Sequence, residues 1–329
     1  MKENVIRQKM SVGLLKNNQY NMGDSLKPFF PFTNDALNHI TSVFNMVWPI
    51  AAGLWNLRCQ VSGVKNEFPK ISEKQLAAKF SFGSGIHGVN YKLSFIDKSW
   101  EEQKEDFAWI LLNSSIPVLE AWTEEIEKVF KHTKHYKFQY PDTVVNEIKK
   151  GTTHESTIMK NCFYQQYLIQ KDNCIQNIDN LLICFRFFKE ARNCYMHNGM
   201  KANDNLIFAY KKFSQINSPS QLGLQEIPLY ITPIKDQIIH LDLRGIVGFS
   251  AVLRKTMISI DTELIKSNEA EELFIARWRK VHSIRRVLKS NPASADNQIV
   301  RYIKKCDLPV PKSISLIKNF LLQKNLLSR

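Results

Sequence analysis

An arginine and a histidine lie five residues apart at the end of the hydrophobic stretch Leu181–Gly199. A guanidinium stays protonated in proteins, and its planar fork can hold a phosphate and stabilise charge that develops on it. An imidazole changes charge near neutral pH and can move a proton. Arg192 and His197 therefore suit cleavage of a phosphate ester. With a ribose 2′-hydroxyl as nucleophile, this chemistry needs no metal ion.

The pair is carried by a stretch with the pattern of an amphipathic helix. Leu181, Phe185 and Phe188 follow one another at four- and three-residue steps, which places them on one buried face. Arg192 takes the next position on that face, where another apolar residue would be expected. The dipeptide Asn198-Gly199 then ends the helix, because both residues tolerate a left-handed backbone.

Helix geometry limits what one chain can do with this pair. A five-residue step turns an ideal helix by about 140°, so Arg192 and His197 face one phosphate only if the helix ends between them or a second subunit contributes. The alternative is a structural motif. In that case the arginine pairs with a carboxylate, for which Glu155 and Glu190 are candidates, and the histidine interacts with the helix dipole.

The string Arg192-Asn193-Cys194-Tyr195-Met196-His197 resembles the motif of the HEPN superfamily of ribonucleases. That motif has an arginine, a following polar residue and a histidine a few positions later, near the end of a helix. The resemblance is clear over Leu181–Gly199 and diffuse elsewhere. It implies an all-α helical bundle and a metal-independent endoribonuclease without a cofactor.

The resemblance also implies a role for each residue of the motif. His197 acts as general base or acid on the 2′-hydroxyl or the leaving oxygen, and Arg192 holds the scissile phosphate. Asn193 orients a catalytic group or the substrate. Tyr195 is a further candidate for substrate contact.

The same resemblance suggests partners. Related families assemble a composite active site across a homodimer, which would also resolve the divergent directions of the arginine and the histidine. Many members are toxins or antiphage defence effectors, so an antitoxin or a defence-system partner is expected. Two other functions remain open: a non-catalytic helical module that binds RNA or protein, and a phosphoesterase acting on a small nucleotide.

The amino-acid composition indicates the class of binding partner and the cellular compartment to expect. The 329 residues carry a net charge of +14, which favours a polyanionic partner, with nucleic acid first and an anionic membrane surface second. The N-terminus lacks the apolar core of a signal peptide, and the apolar segment Phe44–Trp55 is too short to cross a bilayer. Six cysteines without a C-x-x-C pair are typical of reduced thiols. We therefore expect a cytoplasmic protein that binds RNA and no membrane.

Most of the positive charge lies near the C-terminus. Residues 270–329 contain thirteen Lys and Arg but four acidic residues, and the pattern predicts three short helices separated at Asn291-Pro292 and at Pro309 and Pro311. The stretch ARWRKVHSIRR alternates aromatic and basic residues, a composition that grips a phosphate backbone. The alternative is a solvated helical cap. The candidate RNA-binding residues are Arg277, Arg279, Arg285 and Arg286.

Two regions follow from this pattern. We predict a HEPN-like helical domain over 1–268, with the motif helix at about 174–197, and a basic helical extension over 269–329. A small β-hairpin is predicted at about 227–242, because two short β-branched runs flank a turn there. The fold class is therefore all-α with a minor hairpin. Further helices are predicted at about 33–61 with a kink at Pro49, at 98–132 starting near Ser99, and at 152–170.

Two other motifs are not assigned to a site. The GSGIHG stretch at 83–88 has dinucleotide-type glycine spacing, but the following VNYKLSF looks extended, whereas the fingerprint needs a helix. We predict a loop. His132 and His135 spell H-x-x-H, with His154 further on, but the remaining ligands of a zinc site are not evident.

Overall fold

The computed structural model describes residues 26–130, 140–151, 154–282, 286–288 and 291–328. In these ranges the protein is all-α, as predicted. Strands β1 (Arg286–Val287) and β2 (Leu327–Ser328) form one short parallel pair. The helices are α1 (Pro31–Asn45), α2 (Val47–Glu67), α3 (Glu73–Ser81), α4 (Trp100–Val129), α5 (Pro141–Lys150), α6 (Thr157–Met159), α7 (Gln165–Leu168), α8 (Ile178–His197), α9 (Asp204–Phe213), α10 (Leu243–Leu264), α11 (Asn268–Val281), α12 (Pro292–Lys305) and α13 (Ile314–Gln323), with π-helical turns at Leu93–Asp97 and Lys160–Tyr164 and 3₁₀ turns at Ile175–Asn177 and Pro219–Leu222.

Local signals set several helix boundaries where they were predicted. Helix α4 begins after Ser99, whose hydroxyl accepts from the Glu102 N–H at 3.1 Å while the Glu102 carboxylate accepts from the Ser99 N–H at 2.6 Å. This is a capping box. The kink expected at Pro49 is a break at Met46. Proline displaces the carbonyl four residues earlier, and that residue, Asn45, is the last of α1.

The predicted β-hairpin at 227–242 is wrong. This segment is extended, but its backbone pairs with the residues that follow α8: Ala202 donates to the Gln237 carbonyl at 2.9 Å, and Ile239 donates to the Met200 carbonyl at 2.9 Å. Pro228 and Pro233 lack the N–H groups that a hairpin ladder would need. The β-branched runs therefore line the outside of the helices instead of pairing with each other.

The VNYKLSF segment, predicted to be extended, is also different in the structure. A helical turn and the π-helical stretch Leu93–Asp97 replace the predicted strand. Tyr91 and Phe95, four residues apart, pack with Val61 and Leu76 in a small second core between α2 and α3. The 83–88 segment is a loop, as predicted, and its three glycines have positive φ.

Helix α8 lies at the centre of the main core and packs against α4, α9 and α10. The predicted face of Leu181, Phe185 and Phe188 is buried. A neighbouring side of the helix is buried as well, because an aromatic cluster surrounds Phe187 with ring contacts to α9 and to the 227–242 segment. Its members include Tyr210, Phe213 and Tyr230, at centroid distances of 6.4, 5.1 and 5.7 Å from Phe187.

The basic C-terminal segment packs onto the same core. Phe274 and Trp278 of α11 are fully buried, and Phe274 contacts Phe163 and Phe320 at centroid distances of 5.5 and 6.1 Å. The three predicted helices of this segment correspond to α11, α12 and α13.

Two glycines let the 227–242 segment lie directly on α10. A methyl group at Gly245 would overlap the Leu229 carbonyl, and one at Gly248 would lie 3.2 Å from the Pro228 Cα. Glycine in a helix costs about 1 kcal/mol relative to alanine, so this contact explains why these positions are not alanine.

We expect Gly245→Ala to lower the free energy of unfolding by about 1–3 kcal/mol, because the added methyl displaces the Leu229 backbone. The matched control is Gly63→Ala in α2, where an added methyl meets nothing within 4 Å. That change should stabilise the protein by about 0.5–1 kcal/mol through helix propensity. Urea denaturation followed by circular dichroism measures both, and equal effects of the two substitutions would contradict the packing argument.

Candidate functional site

The motif lies where α8 leaves the core. Near its end the helix is buried at Cys194 and exposed from Met196, and His197 is its last residue. The turn that follows has positive φ at Gly199 and Met200, which are 57° and 62°. The end predicted at Asn198-Gly199 is therefore confirmed, although the second left-handed residue is Met200.

Arg192 is half-buried and has no carboxylate partner within the described part of the chain. Its Nη1 lies 3.5 Å from the Asn193 Oδ1, and its buried Nε has no hydrogen-bond partner there. Glu190, one of the two proposed partners, binds Arg186 instead, with Nε and Oε1 2.9 Å apart. Glu155, the other, binds Lys160. The guanidinium is therefore able to accept an anion from outside.

Asn193 connects the arginine to a buried carboxylate. Its Nδ2 donates to the Glu190 Oε2 at 3.4 Å, while its Oδ1 faces Arg192. A carboxylate held by Arg186 thus positions the amide, and the amide in turn limits where the Arg192 guanidinium can lie. Both contacts are long for hydrogen bonds, so the arginine keeps some freedom to turn toward a ligand.

His197 is exposed, and its imidazole has no hydrogen-bond partner among the described residues. Arg192 and His197 belong to one uninterrupted helix, so they keep the divergence of about 140° that the spacing predicts. A single chain presents the two groups in different directions. The condition that the helix ends between them is not met.

Tyr195 is half-buried, and one face of its ring is covered. It stacks on Trp109 of α4 with centroids 4.5 Å apart and planes 25° apart. The stacked face of the ring is therefore not available to a substrate.

Sequence reasoning missed the contribution of α4 to this site. Trp109 Nε1 and Asn113 Oδ1 are buried atoms without a hydrogen-bond partner in the described ranges, and they lie one turn apart on α4. Stacking of Trp109 on Tyr195 places this turn beside the motif. Unpaired buried polar atoms are rare in folded proteins. No local sequence pattern marks them, since they depend on packing between distant helices.

Arg277, a candidate RNA-binding residue, is used inside the fold. Its guanidinium donates to the Phe29 carbonyl and lies 4.8 Å from the centre of the Phe29 ring. The N–H groups of Phe29 and Phe30 donate to the buried Asp261 carboxylate at 2.8 and 3.1 Å. Burial raises the pKa of Asp261 to about 6, against these hydrogen bonds and the nearby guanidinium. Together they fasten the N-terminal segment to the core.

The other candidate arginines are placed differently. Arg279 is exposed and has no ion-pair partner in the described ranges. Arg285 lies outside the described residues, and for Arg286 only the backbone is described, paired in β1 with Leu327. The aromatic residues of this stretch, by contrast, face inward: Trp278 and His282 are buried. The rings of Trp278 and His282 are therefore not available to stack on bases.

Within the described residues, no group of three or more His, Cys, Asp or Glu side chains is arranged to hold a metal ion. His132 and His135 lie outside these residues, and His154 is exposed. Among the described helices, none is both long and apolar enough to cross a bilayer.

Compared with protein-family models, with curated proteins and with solved structures, the chain has no significant match.

The contrast between the two arginines of α11 gives a stability test. We expect Arg277→Gln to lower the free energy of unfolding by about 1–3 kcal/mol, because it removes a bond to a backbone carbonyl and a cation near the buried Asp261. Arg279→Gln should change it by less than about 0.5 kcal/mol. Urea titrations of both variants measure the difference, and equal stabilities would contradict the internal role of Arg277.

Proposed function

We propose that this protein is a metal-independent endoribonuclease of the HEPN type. The observation that carries the proposal is the Arg192 guanidinium, which has no carboxylate partner among the described residues, contacts Asn193 and lies one turn before the exposed His197 at the end of α8. A structural arginine at this position would be expected to pair with Glu190 or Glu155, and both carboxylates bind other cations.

In the proposed reaction, His197 removes the proton of a ribose 2′-hydroxyl or returns one to the leaving oxygen. The 2′-oxygen attacks phosphorus, the bond to the 5′-oxygen breaks, and a 2′,3′-cyclic phosphate forms. Arg192 holds the phosphate and stabilises the charge that develops on it. Asn193, held by Glu190, orients the guanidinium.

The surface of the C-terminal helices supports an RNA partner. Arg279 and Lys280 of α11 are exposed, as are Arg301, Lys304 and Lys305 of α12. These five residues are the proposed basic surface. Phosphate contacts account for much of the affinity of proteins for nucleic acid. Arg277 is left out of this surface because it binds the backbone of Phe29.

We further propose that the active unit is a homodimer with a composite site, since one chain directs Arg192 and His197 about 140° apart. Exposed apolar residues near the motif support a protein contact here. Met196 in the motif is 51% exposed, Ile238 beside the end of α8 is 56% exposed, and Ile110, next to Trp109, is 61% exposed. Closed two-fold dimers are the commonest soluble oligomers.

The proposed setting is the cytoplasm, where RNA is available and the six free cysteines stay reduced. A role as a toxin or antiphage effector, with an antitoxin or a defence-system partner, belongs to the same proposal. Slow growth on expression, relieved by a single substitution in the motif, is the corresponding cellular observation.

We expect Arg192→Ala and His197→Ala each to lower RNA cleavage at least about 100-fold, because each removes a group that acts on the transition state. Wild-type cleavage should persist in excess EDTA and leave a 2′,3′-cyclic phosphate. Mass spectrometry of the cleaved ends measures this. The controls are Arg244→Ala and His39→Ala, which remove exposed residues outside the motif.

Three outcomes would contradict the proposal. Equal cleavage by the wild type and both variants would rule out the motif as the site. Loss of activity in EDTA with recovery in magnesium would rule out the mechanism. Unfolding of Arg192→Ala, seen by circular dichroism, would favour the structural alternative and a non-catalytic helical module that binds RNA or protein.

The composite site predicts complementation. Light scattering should give the mass of a dimer, and mixing Arg192→Ala chains with His197→Ala chains should restore part of the activity, because one of the two sites in a mixed dimer is then complete. The matched control mixes Arg192→Ala chains with an Arg192→Ala, His197→Ala double variant, which contains no complete site.

A fully active monomer would overturn the composite site. A dimer whose mixture stays inactive would show that each site needs both residues of both chains.

A further inference from the structure

A second histidine lies near the motif and is held by a carboxylate. The His240 Nδ1 is 3.0 and 3.1 Å from the two carboxylate oxygens of Glu105, which also accepts the Leu241 N–H at 3.3 Å. The Glu105 side chain is 22% exposed, whereas that of His240 is 55% exposed. The Glu105 carboxylate is therefore largely enclosed and is held by the His240 ring and the Leu241 N–H. Because Nδ1 faces the carboxylate, Nε2 of the accessible imidazole points away from it.

Backbone pairing places His240 at the end of α8. The residues after the motif run antiparallel to the segment before α10: Lys201 bridges Ile238, and the Ile239 N–H donates to the Met200 carbonyl at 2.9 Å. Residues advance in opposite directions along such a pair. His240 directly follows Ile239, so its backbone lies next to the turn that follows the motif helix.

Packing of α4 on α8 gives the same placement independently. Trp109 stacks on Tyr195, while Glu120, further along α4, lies close enough to affect Lys189, earlier on α8. The two helices are thus antiparallel. Glu105, one turn before Trp109 on α4, therefore lies toward the C-terminal end of α8.

We propose that His240 is a second proton-transfer residue of the site, acting as the general acid, with Glu105 as the residue that positions it. The assignment rests on the proposed ribonuclease function and deepens it, since one histidine otherwise has to serve both oxygens in turn. His240 and His197 belong to the same chain. Arg192 of a partner chain would supply the cation that holds the phosphate between these two histidines.

The proton balance of the step is simple. The imidazole of His197 takes the proton of the 2′-hydroxyl as the 2′-oxygen bonds to phosphorus. The bond from phosphorus to the 5′-oxygen breaks, and that oxygen takes the Nε2 proton of the His240 imidazolium. The products are a 2′,3′-cyclic phosphate and a 5′-hydroxyl, with one histidine protonated and the other neutral. Glu105 keeps its charge throughout and holds Nδ1–H.

A carboxylate-bound histidine can also have a purely structural role, in which it links α4 to the 227–242 segment at the surface. The two roles differ in one chemical respect: a general acid matters only when the leaving group needs a proton. A thiolate leaves without protonation. An RNA with sulfur in place of the 5′-oxygen at the cleaved linkage therefore removes the need for the acid while keeping the rest of the substrate.

The experiment measures single-turnover cleavage of the two RNAs, after the cleavage site has been mapped. For the all-oxygen RNA we expect His240→Ala to be about 100- to 10,000-fold slower than wild type. For the sulfur-containing RNA it should be within about 10-fold of wild type, whereas His197→Ala stays slow on both. Glu105→Gln should shift the ratio of the two rates in the same direction but less. His39→Ala, on the exposed side of α1, is the control and should match wild type on both substrates.

Other results would overturn the assignment. Full activity of His240→Ala on the all-oxygen RNA, with His197→Ala inactive, would exclude His240 from the chemistry and leave the proposed function intact. If His240→Ala slows cleavage of both substrates equally and alters the circular dichroism spectrum or the melting temperature, the Glu105–His240 pair has a structural role only. A wild-type chain that cleaves no RNA would overturn the proposed function and the assignment together.

Discussion

Burial of charge in the middle of α8 constrains the rest of the structure. Lys189 and Glu190 are each only 4% exposed, and a buried charge without compensation is costly. The Lys189 ammonium lies over the ring of Tyr140, and burial together with the nearby Arg186 lowers its pKa to about 8. Glu190 binds Arg186 and Asn193. These contacts need α5 on one side of the helix, and they leave Arg192 without a carboxylate partner in the part of the chain that the structure describes.

The same constraint determines where the motif meets solvent. Helix α8 packs against α4, α9 and α10, with Arg186 exposed along its length, and it leaves this packing near its C-terminal end. That point falls between Cys194, which is fully buried, and Met196, which is 51% exposed. The site is therefore a helix end presented by a rigid core, an arrangement that holds catalytic groups more firmly than a loop does.

The sequence predicted elements whose signals are local. The Ser99 capping box, the stop at Asn198-Gly199 and the three C-terminal helices each depend on residues within one or two turns. The segment 227–242 was mistaken for a hairpin because short β-branched runs do not reveal their partner strand. The burial of Trp278 follows the four-residue spacing of Ala270, Phe274 and Trp278, which an interpretation based on alternating aromatic and basic residues overlooks.

Long-range polar contacts of the site were beyond prediction for a different reason. Glu105 and His240 are 135 positions apart in the sequence. The residues around each of them carry no pattern that identifies the other as its partner. The Arg277 bond to Phe29 spans 248 positions. Such contacts follow from the packing of whole helices, so they become visible only once the fold is known.

Charge counting has a similar limit. The net charge of +14 suggested a broad phosphate-binding surface, but the fold uses several cations internally. Arg254 donates to Asp172 at 2.9 Å, Lys189 is buried on α8, and Arg277 holds the N-terminal segment. Other cations remain exposed, including Arg279 and Lys280 on α11 and Arg301, Lys304 and Lys305 on α12. The extension is thus both a part of the core and a candidate binding surface.

Electrostatics at the end of α8 bears directly on how a phosphate could bind there. The C-terminus of a helix carries a partial negative charge that repels anions. Two carbonyls of the turn are occupied: the Cys194 carbonyl accepts the Asn198 and Met200 N–H groups, and the Asn198 amide donates to the Lys201 carbonyl at 2.7 Å. The dipole itself remains.

A phosphate at this position therefore needs compensating cations, and within one chain Arg192 is directed elsewhere. Lys201 is the nearest exposed cation in sequence, and a guanidinium from a second chain would supply the charge and the planar geometry that the lysine lacks. The unfavourable dipole is thus a physical reason, separate from the helix angle, for the composite site proposed above.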